Sequence, residues 1–213
     1  MDRLRVEKYS PTLCAPLYVV GLAGPSDLGR ITAKMLIDRV GARLFGELYS
    51  RHFPDHVTIA EDGTCRLLRY EFFESSLSSP NMLIACGDDG INFENPESSF
   101  DVLDEIVQLG KKYRSSTLIL IDALHLEDGE CIYVAATTRK TTKNLETRGA
   151  KVIRDTHLLG PAGIVLGMCR LYSISAVGIF PTLTRPEIEV HAEETLKLIE
   201  ESFNLQYPEK TTL

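Results

Sequence analysis

At 213 residues the chain is long enough for one domain to bury a core without disulfides or metal. Hydrophobic residues make up 44 % and charged residues 25 %, which excludes a disordered chain. The net charge of −7, with no basic run longer than pairs such as Lys111-Lys112, argues against nucleic acid and anionic membrane as partners. Cys14, Cys65, Cys86, Cys131 and Cys169 are odd in number, widely spaced and form no Cys-x-x-Cys. A disulfide framework or zinc site is therefore not expected, and a reducing, cytoplasmic compartment is. No apolar segment follows Met1-Asp2-Arg3-Leu4-Arg5, so no signal peptide is expected. The longest apolar stretch, around Ile164 to Leu171, is shorter than the roughly 20 residues of a membrane span.

The elements alternate from the start. Leu17 to Leu22 is a short β-branched apolar run that ends on Gly21 and Gly24, a buried strand and turn. A helix follows, with Ser26 as N-cap, Leu28, Ile31, Met35 and Leu36 as its apolar face, and Gly41 as its stop. Arg43 to Tyr49, His56 to Ala60 and Cys65 to Phe73 read as extended. Asp62-Gly63 is a hairpin turn between the last two, so part of the sheet is antiparallel. Asn81 to Gly87 is another buried strand. Asn95-Pro96 then opens a helix with Phe100, Leu103, Ile106 and Val107 on its inner face. Thr117 to Ile121 and Cys131 to Thr137 are β-prone, with Asp128-Gly129 suggesting a hairpin-like return between them. A short helix is expected from Thr141 to Arg148, closed by Gly149, then a strand from Ser175 to Phe180. The last helix begins at Thr184-Arg185-Pro186-Glu187, a capping box with Pro in its first turn. Ile188, Ala192, Thr195, Leu196, Ile199 and Phe203 line its buried side. The pattern predicts one α/β domain over 1–213, with a core of about 17–203 and a polar tail over 208–213. Its architecture is a three-layer α/β/α sandwich around a mixed, mainly parallel sheet.

Four segments could carry chemistry. Gly21, Gly24, Ser26 and Gly29 lie where a strand, a Gly-rich turn and a helix N-terminus meet, a geometry that suits an anion. The spacing matches neither the dinucleotide fingerprint nor a P-loop, and Asp27 already places negative charge at the helix start. The alternative is a tight turn that lets the helix pack closely. His52, Asp55 and His56 invite a metal, but Pro54 disfavours the helix that such spacing needs, and a loop packed by Phe53 is the competing reading. Asp88 and Asp89 follow a strand end, where ligands of open α/β sheets bind, although adjacent carboxylates also form solvated turns. Cys86 beside them sits in an apolar run and reads as an inert thiol. The fourth is the apolar helix containing Gly160, Gly163 and Gly167. It is apolar all round, which implies burial on all sides, either against the sheet or at a subunit contact. There is no Gly-x-Ser-x-Gly, His-Glu-x-x-His or assignable triad, so no catalytic residue is proposed.

Taken together, these motifs resemble the proteasome assembly chaperone family, in its archaeal-type branch related to proteasome assembly chaperone two. The resemblance runs through Val19-Val20-Gly21-Leu22-Ala23-Gly24 with Gly29, Phe53-Pro54-Asp55-His56-Val57, Gly87-Asp88, and Gly160-x-x-Gly163-Ile164-x-x-Gly167. The order and spacing hold from about Leu17 to Phe203. It implies a fold akin to purine nucleoside phosphorylases, no required cofactor, and a homo-oligomer that helps proteasome α subunits assemble. Two departures stand out. Pro181-Thr182 occupies the place where members often carry Glu-Thr. The chain ends Thr211-Thr212-Leu213 where some members carry a hydrophobic-Tyr-X docking tail, so the folded body is expected to carry partner binding. The competing function is a protein that binds, or an enzyme that acts on, a nucleoside or phosphorylated metabolite. It rests on the Gly21–Gly29 turn and the Asp88-Asp89 loop.

Overall fold

The structure is a computed structural model that describes residues 3–22, 26–88, 91, 96–124, 129–183 and 187–207. Its centre is four parallel strands: β2 (Leu17–Gly21), β7 (Met82–Gly87), β8 (Thr117–Ile121) and β11 (Ala176–Pro181). Their residues are apolar without alternation because both faces are covered. Tyr18 and Val20, Leu83 and Ala85, and Leu118 and Leu120 point to one helical layer. Leu17 and Val19, Met82 and Ile84, and Ile119 and Ile121 point to the other. The first layer holds α2 (Pro96–Lys112) and α4 (Pro161–Leu171). The second holds α1 (Leu28–Val40), α3 (Arg139–Glu146) and α5 (Ile188–Phe203).

Further strands extend the sheet on both sides, in antiparallel pairing except at the last, which runs parallel to its neighbour. β1 (Arg3–Glu7), β3 (Arg43–Ser50) and β6 (Tyr70–Ser75) continue beyond β7. β9 (Ile132–Ala136) lies beyond β11, and β10 (Lys151–Val152) forms the far edge. The nine-stranded order is β1-β3-β6-β7-β2-β8-β11-β9-β10. This is the expected three-layer α/β/α architecture with a mixed sheet. β4 (Val57–Ile59) and β5 (Cys65–Leu67) form a separate two-stranded ribbon. Its turn has Gly63 at φ +81°, with the Asp62 carboxylate accepting from the Thr64 amide at 3.0 Å. Among the described residues, no helix is long and apolar enough to cross a membrane.

Several local expectations are corrected. β8 and β9 do not return on each other as a hairpin. β11 lies between them, parallel to β8 and antiparallel to β9, and Asp128 is outside the described residues. The extended run over Cys65 to Phe73 breaks at Leu68-Arg69 into β5 and β6, which join different sheets. The buried face of α1 is Leu28, Gly29, Thr32, Ala33, Leu36 and Val40, so Ile31 and Met35 sit at its margin. Asp27, in the left-handed conformation, holds the N-cap position of α1. Ser26 instead accepts the Leu28 amide at 3.4 Å. The expected start of α5 falls on residues 184–186, outside the described residues, and Asn95 is likewise outside them. Helix α4 is not buried all round. Ala162, Val165, Met168 and Cys169 face the core, while Gly167 and Leu171 face outward, the latter 74 % exposed. It packs on one side only, against α2 and β11.

Phe100 was expected on the inner face of α2 but is 50 % exposed, whereas Leu103, Ile106 and Val107 are fully buried. The apolar periodicity is wider than the contact face, and Phe100 lies at its rim. Leu103→Ala should therefore lower unfolding stability by about 2–5 kcal/mol. Phe100→Ala should lower it by less than about 1 kcal/mol. Urea denaturation of the two variants at low protein concentration checks this register.

Candidate functional site

Two of the sequence candidates emerge side by side. Gly21 ends β2 opposite Cys86, and Gly87 ends the adjacent parallel strand β7. The Gly turn and the Asp88 loop thus leave from the carboxyl ends of parallel strands, the usual ligand-binding edge of such sheets. Gly24 and Asp89 lie outside the described residues.

The described part of the Gly turn is filled by its own chain. A methyl group on Gly21 would overlap the Gly29 carbonyl oxygen and lie 2.7 Å from the Ala33 Cβ. A methyl on Gly29 would overlap the Ile121 carbonyl and lie 2.6 Å from that of Leu22. The glycines therefore let α1 meet the ends of β2 and β8 backbone to backbone. The Leu22 amide donates to the Ile121 carbonyl at 3.2 Å, and the Ile31 amide donates to that of Asp27 at 2.9 Å. The Asp27 carboxylate takes two hydrogen bonds from Arg30, at 3.0 and 2.7 Å, so a negative group already stands at the helix start.

Asp88 is engaged as well. Its carboxylate accepts a bidentate pair from Arg66, one contact at 2.8 Å, and a third bond from the Arg69 amide at 2.9 Å. Its own amide donates to the Arg69 carbonyl at 3.0 Å. Burial alone would raise this carboxyl, but the Arg66 guanidinium and the Arg69 amide outweigh it and hold the carboxyl below its ordinary range. Asp88 thereby fastens the β4–β5 ribbon to the end of β7. The partner residues Arg66 and Arg69 were not singled out in the sequence, where nothing local ties them to Asp88.

With Arg66 turned inward, the other face of the ribbon is apolar and points away from the body. Val57 pairs with Leu67 and Ile59 with Cys65. Ile59 is 67 % exposed and Leu67 62 %, and Val57 and Cys65 are exposed too. An isolated two-stranded ribbon is marginal in water, so its attachment through Asp88 matters to its shape.

The remaining candidates separate. Burial pushes the Cys86 thiol up to about 12, and its sulfur lies 3.8 Å from the Arg30 carbonyl oxygen. A thiol so placed is protonated at neutral pH and no nucleophile. Phe53 packs against Tyr70 with ring centroids 6.3 Å apart, and His52 and His56 join no three-ligand cluster among the described residues. In α4, a methyl on Gly163 would overlap the Leu158 carbonyl, while Gly160 and Gly167 have open space around them. The close approach at Gly163 is thus made by the chain itself. Gly160 takes φ +77°, and Gly167 lies on the outward stripe with Leu171.

The described residues thus define an α/β sandwich in which Gly21, Gly29 and Asp88, at the carboxyl ends of β2 and β7 and the start of α1, are engaged by the chain's own backbone and ion pairs, and which displays apolar surface on the β4–β5 ribbon. The PAC2 family profile matches residues 18–211, and the chain belongs to that family. Protein MJ1210 of Methanocaldococcus jannaschii, named as uncharacterized, is 24 % identical over 165 residues, 76 % of this chain. The chain spans 63 % of that relative's length. PbaB of Pyrococcus furiosus, described as an archaeal proteasome activator, superposes with a TM-score of 0.83 at 19 % identity, covering 97 % of this chain and 91 % of that one. PbaA of the same organism, described as an archaeal homologue of proteasome-assembly chaperone, gives 0.76 at 18 % identity over 98 % of this chain and 84 % of that one. The Mycobacterium tuberculosis proteasome-assembly chaperone homologue Rv2125 gives 0.70 at 17 % identity over 90 % and 87 %. At these identities the structures establish a shared fold.

Two outcomes follow from this geometry. Gly29→Ala forces a methyl into backbone carbonyls and should destabilise the fold by about 1–3 kcal/mol, read as a lower denaturation midpoint. The lowered Asp88 carboxyl contributes stability above its unfolded value of about 3.9 and loses it as pH falls through the lower folded value. Asp88→Asn should therefore remove about 1–3 kcal/mol at neutral pH. It should also speed hydrogen exchange at residues 57–67, and the deficit should shrink on acidification below pH ~4.

Proposed function

We propose that this chain is a non-enzymatic, ATP-independent assembly chaperone-like protein that binds proteasome α subunits and works as a homo-oligomer in the cytoplasm. The observation that carries the reading is membership of the PAC2 family across residues 18–211, joined to a fold shared with PbaA, PbaB and Rv2125. The site supports it from the other direction. Gly21 and Gly29 are packed against backbone carbonyls, Asp88 is saturated by Arg66 and Arg69, and Cys86 is a buried thiol. A nucleoside or phosphate held by Gly21, Gly29 or Asp88 would have to displace these contacts, which leaves the small-ligand reading with less support.

The partner surface we favour is the outward face of the β4–β5 ribbon. Three exposed aliphatic side chains on a strand pair form a patch that a partner can bury. The exposed stripe of α4 is the surface we favour for self-association.

Immobilised α subunits should retain the purified chain. The double variant Ile59→Asp and Leu67→Asp should weaken that retention at least tenfold, about 1.4 kcal/mol, without lowering the melting temperature. Absence of retention where α rings form would contradict the partner, and full retention by the variant would contradict the surface. Cys86→Ser should retain α subunits as wild type does. Sedimentation should show an oligomer at micromolar concentration, and a monomer there would contradict self-association.

A further inference from the structure

We propose that Glu130, His191 and Glu194 form a binding site for a divalent transition-metal ion of the zinc class. His191 lies in the first turn of α5 and is 1 % exposed. Glu194 stands three residues on, on the same helical face, with its Oε2 3.9 Å from His191 Nδ1. Glu130 comes from a different element, just before β9. One ligand atom from each of the three lies within 4.8 Å of the others.

Three features make this more than a chance grouping of acids. First, the set is one imidazole and two carboxylates, a nitrogen–oxygen donor set suited to zinc, whereas magnesium and calcium prefer oxygen alone. Second, the frame is fixed. Thr182, buried at the end of β11, donates through its hydroxyl to the Gly129 carbonyl at 2.6 Å and accepts the Cys131 amide at 2.9 Å. Those bonds clamp the backbone on both sides of Glu130 next to α5. Third, the group opens on a concavity of about 360 Å³ lined also by Cys131, Arg148 and Thr182, which leaves room for a water as fourth ligand.

The geometry is within reach of coordination. Ligand atoms around tetrahedral zinc sit roughly 3.3 Å apart, given bonds of about 2.0–2.1 Å. The imidazole is buried and the two carboxylates are exposed, so closing from 4.8 Å to that spacing is a movement of the carboxylates. The three groups have other partners within the chain, which a bound cation would have to displace. Binding would join α5 to the start of β9, which are distant in sequence.

The test is calorimetric titration of the tag-free chain with zinc chloride, with cobalt absorption as a second readout. We expect stoichiometric, chelator-reversible binding and a rise in melting temperature of several degrees at saturation. Because His191→Ala disturbs a buried position, the decisive variant is the doubly exposed pair Glu130→Gln and Glu194→Gln. It should keep the fold and lose at least about tenfold in affinity. The pair His52→Ala and His56→Ala should bind as wild type does. No saturable binding, undiminished binding by the glutamine pair, or loss of binding in the His52/His56 pair would each overturn the proposal.

Discussion

Helix α1 meets the ends of β2 and β8 at backbone contact, because residues 21 and 29 carry no side chain that would hold them apart. Much else depends on that approach. It seats Ala33 and Leu36 against the sheet and brings α1 alongside α5. At residues 21 and 29 it leaves no gap between the helix and the strand ends. The same two glycines that look like a ligand loop in sequence act as a packing device in three dimensions.

The neighbouring strand end follows a similar logic. Asp88 occupies the position where open α/β sheets place ligand-binding groups, yet its oxygens are spent on Arg66 and Arg69. The result of that ion pair is mechanical: it holds a two-stranded ribbon whose inner face is polar and whose outer face is apolar. Charge satisfied inward and apolar surface displayed outward is an arrangement suited to protein partners rather than to small anions. Family membership and the shared fold agree with it, while the partner itself rests on the proposal above.

The layered architecture was legible because buried parallel strands are continuous apolar runs, as at Leu17–Gly21, Met82–Gly87 and Thr117–Ile121. The Asp62-Gly63 turn was legible because its chemistry is local. What escaped was mostly non-local or short. β10 has only two residues and carries no periodic signal, whereas β1, Arg3 to Glu7, alternates charged and apolar residues, a five-residue signal that went unread. The insertion of β11 between β8 and β9 depends on a strand that follows later in the chain. Of the candidate site, the positions of Gly21, Gly29 and Asp88 were readable, but their roles depend on partners elsewhere: Ile121, Arg66 and Arg69. Gly163 meets Leu158 only because the chain turns back before α4. Glu130 and His191 are brought together by the pairing of β9 with β11, which no spacing rule encodes.

The central claim is that this fold works by binding another protein and not by turning over a small molecule. Native mass spectrometry of the chain mixed with proteasome α subunits tests it most directly. The account predicts a discrete species whose mass is the sum of this chain's oligomer and α subunits, unaltered by added nucleosides or phosphate. Free components alone, together with a mass shift of the chain on adding a nucleoside or phosphate ester, would contradict it.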